Sequence, residues 1–160
     1  LPASFVEQCQ KRQITTYDFL HSPTLALANA EITAEGMLAI LLQQTPYVLL
    51  NTELLLLGFG RCGMLLAQKL QAIGVQVTVC EAAADKRSLA RAMGFAALSP
   101  EGLPTILPDC ELVVNTVPVL VLPYELLRLL PKNTMLFELA SAPGGIDAQA
   151  AQELQLFYQN

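Results

Sequence analysis

From Leu54 onward, short apolar runs alternate with stretches whose apolar residues recur every three or four positions, the pattern of strand and helix alternating along a parallel sheet. The runs predict strands over 54–57, 75–80, 95–98, 111–115, 135–139 and 156–158, and the amphipathic stretches predict helices over 62–73, 85–93, 101–107, 123–130 and 147–153. Gly74 and Gly94 stand at expected helix ends, where a residue tolerant of positive φ is favoured. Pro123 suits a first helical turn, where its missing amide costs nothing. Upstream, 13–19 reads as a short strand and 21–30 as a connection. A helix over 33–45, capped by Thr33 and stopped by Pro46, then leads into the first strand. That helix reads as a hinge from another domain. The expected division is 1–30 as the remnant of an amino-terminal domain with its connection, and 31–160, linker helix included, as the main domain.

The first strand runs into Gly58-Phe59-Gly60-Arg61-Cys62-Gly63 and then directly into a helix. A GxGxxG sequence between strand and helix has a physical reason at each glycine. Gly58 makes the tight turn, Gly60 lets backbone approach a pyrophosphate, and Gly63 lets helix and strand pack closely. The helix amino terminus adds free amides and partial positive charge. The other reading is a glycine turn that merely packs. Six strands with helical crossovers then match a doubly wound parallel sheet of order 3-2-1-4-5-6, the Rossmann arrangement, with all functional loops at the carboxyl edge of the strands.

The second strand ends at Glu81, where a carboxylate can accept from both ribose hydroxyls and repel a 2'-phosphate, which favours NAD. Lys86 and Arg87 follow close behind and could instead pair a 2'-phosphate, so NADP stays open; they also suit a solvated helix start. Asn115, Thr116 and Val117, after the fourth strand, face the first loop across the crevice, or else organise a turn before Pro118. After the fifth strand, Glu138-Leu139-Ala140-Ser141-Ala142-Pro143-Gly144-Gly145 is a loop of small residues in which Ser141 is the obvious hydrogen-bonding group and Glu138 belongs to the strand. Thr33 and Glu35 are candidates for the nicotinamide end, although a cap and a dipole-complementing acid explain them as well. No catalytic residue can be assigned.

The chain has 160 residues, 53% of them hydrophobic and 14% charged, enough apolar surface for one principal core. A net charge of -5 gives no electrostatic footprint for nucleic acid or an anionic membrane. Neither 36–50 nor 117–130 is an unbroken membrane span. No amino-terminal signal pattern is present, and a chain that begins at Leu1 is expected to be a fragment. Cys9, Cys62, Cys80 and Cys110 form no CxxC pair and His21 is isolated, so reduced buried thiols and no metal are expected. No Ser/His/Asp or Cys/His set can be assembled.

Read together, Ile32-Thr33-Ala34-Glu35-Gly36, the glycine loop from Leu57 to Met64, Asn115-Thr116-Val117-Pro118, and Leu139-Ala140-Ser141-Ala142-Pro143-Gly144-Gly145-Ile146-Asp147 resemble, in order and spacing, the A-type subunit of bacterial dipicolinate synthase. The resemblance spans nearly the whole chain from about Ile14, and the Pro-Gly-Gly loop makes it far more specific than the glycine motif alone. It implies a cytoplasmic NAD(P)-dependent oxidoreductase in the mother cell of a sporulating bacterium. Such an enzyme, as an oligomer, forms dipicolinate from a dihydrodipicolinate-type dicarboxylate together with a flavoprotein-like B-type subunit. The resemblance also implies further segments on either side of the cofactor domain, so that this chain alone would be inactive. Glu81 departs from the family, some members of which have a basic residue there. Competing readings are a 2-hydroxyacid or methylenetetrahydrofolate dehydrogenase relative and a non-enzymatic nucleotide-sensing module.

Overall fold

The computed structural model describes residues 3–17 and 22–160. A short helix, α1 (Ala3–Lys11), precedes a long one, α2 (Pro23–Gln44). Then follow β1 (Glu53–Leu57), α3 (Arg61–Ala72), β2 (Gln76–Cys80), α4 (Ala84–Ala92), β3 (Ala96–Leu98), α5 (Leu103–Ile106), β4 (Leu112–Asn115), α6 (Tyr124–Leu127), β5 (Met135–Glu138), α7 (Ala148–Glu153) and β6 (Phe157–Gln159). The six strands form one parallel sheet in the order β3-β2-β1-β4-β5-β6, as expected from the sequence.

Burial explains why the strands read as unbroken apolar runs. Leu54 and Leu56 join one core cluster with Met37, Leu41, Leu66 and Leu70, whereas Leu55 and Leu57 join another with Leu103, Leu107 and Leu127. Side chains alternate across the sheet and both faces are covered by helices, so neither face can be polar. In register, Leu57 lies beside Cys80 on one side and Asn115 on the other, which brings the ends of β1, β2 and β4 to one edge.

The largest departures from the sequence reading lie upstream. No strand forms over 13–17, and Phe19 and His21 fall outside the described residues. The supposed connection over 21–30 is helix from Pro23 on, with Ser22 at the N-cap and proline in the first turn. Thr33 therefore caps nothing. It lies inside α2 and its hydroxyl donates to the Asn29 carbonyl one turn back, 2.7 Å away. The other end is as expected: Thr45 closes the helix, its amide and hydroxyl both donating to the Leu41 carbonyl, and Pro46 follows. The helix expected over 101–107 is broken into α5 between two 3-10 turns, Pro100–Gly102 and Leu107–Asp109, because proline recurs at 100, 104 and 108.

By length and composition alone, α2 is apolar enough to cross a membrane, its mean hydropathy reaching 1.5. In the fold it behaves as a core helix on one side, burying Ala30, Ala34, Met37 and Leu41, and Glu31 approaches Lys69 of α3 at 3.4 Å. Replacing the fully buried Leu41 by alanine should therefore lower the stability of the whole domain by about 2–4 kcal/mol, measured by denaturant unfolding. An unchanged midpoint would show α2 to be an appendage rather than part of the core.

Candidate functional site

At the end of β1 the chain turns through Gly58, whose φ of 92° disfavours any side chain. A Cβ there would lie 2.6 Å from the Thr116 hydroxyl, and one at Gly63 would collide with the Gly58 carbonyl. Both glycines are thus demanded by packing. Gly60 differs: a Cβ would meet nothing within 4 Å, although the residue caps α3, a helix of 12 residues. Backbone left bare over open space at a helix amino terminus fits an approaching phosphate, since neither packing nor turn geometry requires the missing side chain. Phe59 points inward, its ring edge-on to Phe95 at 5.9 Å, while Arg61 is exposed.

Beside this loop a cleft opens to solvent, lined by Gly58, Glu81, Ala82, Pro100, Val117 and the segment 119–121. Its far wall is apolar, as the flat face of a base requires. At its rim the Glu81 carboxylate accepts from the Phe59 amide at 2.8 Å and the Ala83 amide at 2.9 Å, which ties the glycine loop to the end of β2. Arg87 is also engaged, donating to the carbonyls of Glu81 and Ala82 at 2.8 and 2.6 Å, whereas Lys86 is exposed. The Thr116 hydroxyl donates to the Leu57 carbonyl at 2.8 Å and so joins the β4 loop to the β1 loop. Asn115 is fully buried and folds back on Val117, its amide nitrogen donating to the Val117 carbonyl and its oxygen accepting from the Val117 amide.

The β5 loop is built around Glu138, a role the sequence reading did not give it. This carboxylate, only 6% exposed, accepts from the Asn115 side chain at 2.6 Å and from the backbone amides of Ala140, Gly145 and Ile146 at 2.9–3.0 Å. An acid closing a strand buried on both faces was the available signal. Ser141 is exposed on the turn that follows. Thr33 and Glu35 lie on α2 and neither lines the cleft. The glycines, Glu81 and Val117 are therefore drawn to one site, Asn115 and Thr116 hold its loops, and Ser141, Thr33 and Glu35 stand outside the cleft.

The four cysteines are free thiols. Burial, reinforced by the charges of Glu81 and Glu101, pushes Cys80 up to about 12, and burial raises Cys62 despite the opposing charge of Arg61. Such thiols stay protonated and are poor nucleophiles. Among the described residues no group of three or more His, Cys, Asp or Glu could hold a metal ion.

No family model matches the chain. Over 129 residues it is 29% identical to the A-type subunit of dipicolinate synthase from Bacillus subtilis (strain 168), covering 81% of this chain and 43% of that protein. The crystal structure of the same subunit from Bacillus halodurans matches with a TM-score of 0.88 and 28% identity over 100% of this chain and 56% of that one. The chain is a relative of the dipicolinate synthase A-type subunit. The resemblance seen in its motifs is thereby borne out, and the chain spans about half the length of the relatives it matches. An L-alanine dehydrogenase shares the fold, with a TM-score of 0.62 at 18% identity over 92% of this chain and 49% of that one. The domain thus has the Rossmann fold expected from the sequence.

Gly63 and Gly60 should separate on substitution. Gly63→Ala forces a Cβ against the Gly58 carbonyl and should destabilise the fold by about 1–3 kcal/mol. Gly60→Ala, which meets no atom but weakens the N-cap of α3, should cost no more than about 1 kcal/mol while markedly weakening nucleotide binding. Paired thermal unfolding and calorimetric titration with NAD would check both, and equal effects on the two quantities would contradict the division.

Proposed function

We propose that this chain is the cofactor-binding module of a cytoplasmic NAD(P)-dependent oxidoreductase that, as an oligomer working with a flavoprotein-like B-type subunit, forms dipicolinate from a dihydrodipicolinate-type dicarboxylate in a sporulating cell. The observation that supports it most is the bare Gly60 backbone over the start of α3, in a chain related to the dipicolinate synthase A-type subunit. The amides at the start of α3 would hold the pyrophosphate, and Ala82, Pro100, Val119 and Leu120 would enclose the adenine. Glu81 keeps lone pairs for the ribose hydroxyls while bonded to two amides, and its charge opposes a 2'-phosphate. Arg87 is held by two carbonyls through Nη1 alone, which ties its side chain to the Glu81–Ala82 backbone and leaves Nη2 and Nε free to donate. The Glu81 charge favours NAD over NADP.

A bound nicotinamide supplies the hydride acceptor. The substrate gives up one hydride and one proton, and the pyridine ring that results is aromatic, so the driving force lies in the substrate. The work of these residues is then orientation: the loops after β1, β4 and β5 fix where cofactor and substrate meet and limit water there. No strong general base is demanded, in keeping with loops that hold no histidine. Arg61 is the basic side chain these loops offer to a dicarboxylate. The remaining positive charge would come from a partner surface.

Calorimetry on the chain should detect NAD binding, and Glu81→Ala should shift the NAD to NADP affinity ratio towards NADP by about tenfold. An unaltered ratio would remove Glu81 from this role. Dipicolinate should also form faster than in a protein-free control when dihydrodipicolinate synthase is coupled to the complete oxidoreductase and its B-type subunit with NAD. Formation at the control rate, with cofactor bound, would defeat the assignment of the reaction.

A further inference from the structure

The far wall of the cleft, 117–121, belongs to no helix or strand, yet it faces the space where a ligand must pack. Two points tie it down. At one end the Asn115 side chain grips Val117 through both its amide and its carbonyl, at 3.1 and 2.9 Å. At the other end the amides of Val121 and Leu122 both donate to the Gly145 carbonyl, at 2.8 and 2.9 Å. These anchors come from different loops, after β4 and after β5, and one side chain joins them. Glu138 accepts from Asn115 Nδ2 with one oxygen and from the amides of Gly145 and Ile146 with the other. Its carboxylate does not line the cleft.

The space around this group is filled. A Cβ at Gly144 would lie 2.9 Å from Glu138 Oε2, and one at Gly145 would lie 2.5 Å from Asn115 Nδ2 and 2.7 Å from the Val117 carbonyl. The Pro-Gly-Gly loop is therefore glycine where Glu138 and Asn115 stand. All partners of the carboxylate are N–H donors, so only a group with two acceptor oxygens satisfies them together. A glutamine in its place turns an NH2 towards either the Gly145 and Ile146 amides or Asn115 and the Ala140 amide, donor against donor, and one anchor must give.

We propose that Glu138, acting through Asn115 and Gly145, is a positioning residue for nucleotide binding: it clamps both ends of the 117–121 wall and so sets the width of the cleft. This rests on the reading of the cleft as a dinucleotide site. The test uses ADP-ribose as probe, calorimetry for affinity, and amide hydrogen exchange at Val121 and Leu122. Glu138→Gln should weaken ADP-ribose binding by roughly tenfold and remove the protection of those two amides, and saturating ADP-ribose should restore it. Leu136→Ala, which opens the core on the same strand, should lower the unfolding midpoint and leave affinity within about twofold. Unchanged affinity and protection in Glu138→Gln would overturn the proposal, as would equal loss of affinity in Leu136→Ala. Should Glu138→Gln not fold, Gly145→Ala presses on the same clamp and is judged by the same two readouts. Failure of the unsubstituted chain to bind ADP-ribose would defeat the functional reading instead, while exchange at Val121 and Leu122 would still decide the clamp.

Discussion

The site depends on how closely the chain passes itself at the end of β1. The Gly58 carbonyl sits where a side chain of Gly63 would be, and the Thr116 hydroxyl sits where a side chain of Gly58 would be. Three segments, the first loop, the start of α3 and the loop after β4, thereby share a space that admits no Cβ. That approach brings the amino terminus of α3 to the sheet edge and leaves Gly60 as the backbone exposed towards a ligand.

Two carboxylates stabilise what secondary structure cannot. Glu81, the residue after β2, and Glu138, the last of β5, each satisfy backbone amides in loops with no ladder partners, Glu81 for the glycine loop and Glu138 for the loop after β5. Buried backbone amides need acceptors, and a carboxylate can serve several at once with bonds stronger than those of a neutral acceptor. The arrangement places fixed walls on both sides of the crevice without a helix or strand there. Among the described residues no buried side-chain nitrogen or oxygen lacks a partner.

Much of this was legible in the sequence. The strand order follows from apolar runs that both faces of a parallel sheet demand, and the glycine motif has its full context of strand and helix. The start of α2 was not legible because Leu25, Leu27, Ile32 and Leu42 are apolar yet exposed, which erases the one-sided pattern from which helix ends are read. Thr33 then looked like a cap simply because it precedes an acid. Glu138 was read as a strand residue, which it is; an acid at the end of a strand buried on both faces marks it as unusual, but its partners, three backbone amides and Asn115, are set by the fold of the following loop. The apolar wall at Val119 and Leu120 was missed for a similar reason, since apolar residues in a loop are informative only once the cleft beside them is known.

On this reading one edge of the sheet, at the ends of β1, β2 and β4, receives a dinucleotide. Titrating NAD into isotope-labelled protein while following backbone amide resonances tests it most directly. Perturbations are expected at Gly60 to Gly63, at Glu81 to Ala83 and along 117–121, with none around Glu53, Asp109 and Glu111 at the opposite edge. Perturbations centred on that opposite edge, or none at the glycine loop under saturating NAD, would contradict it.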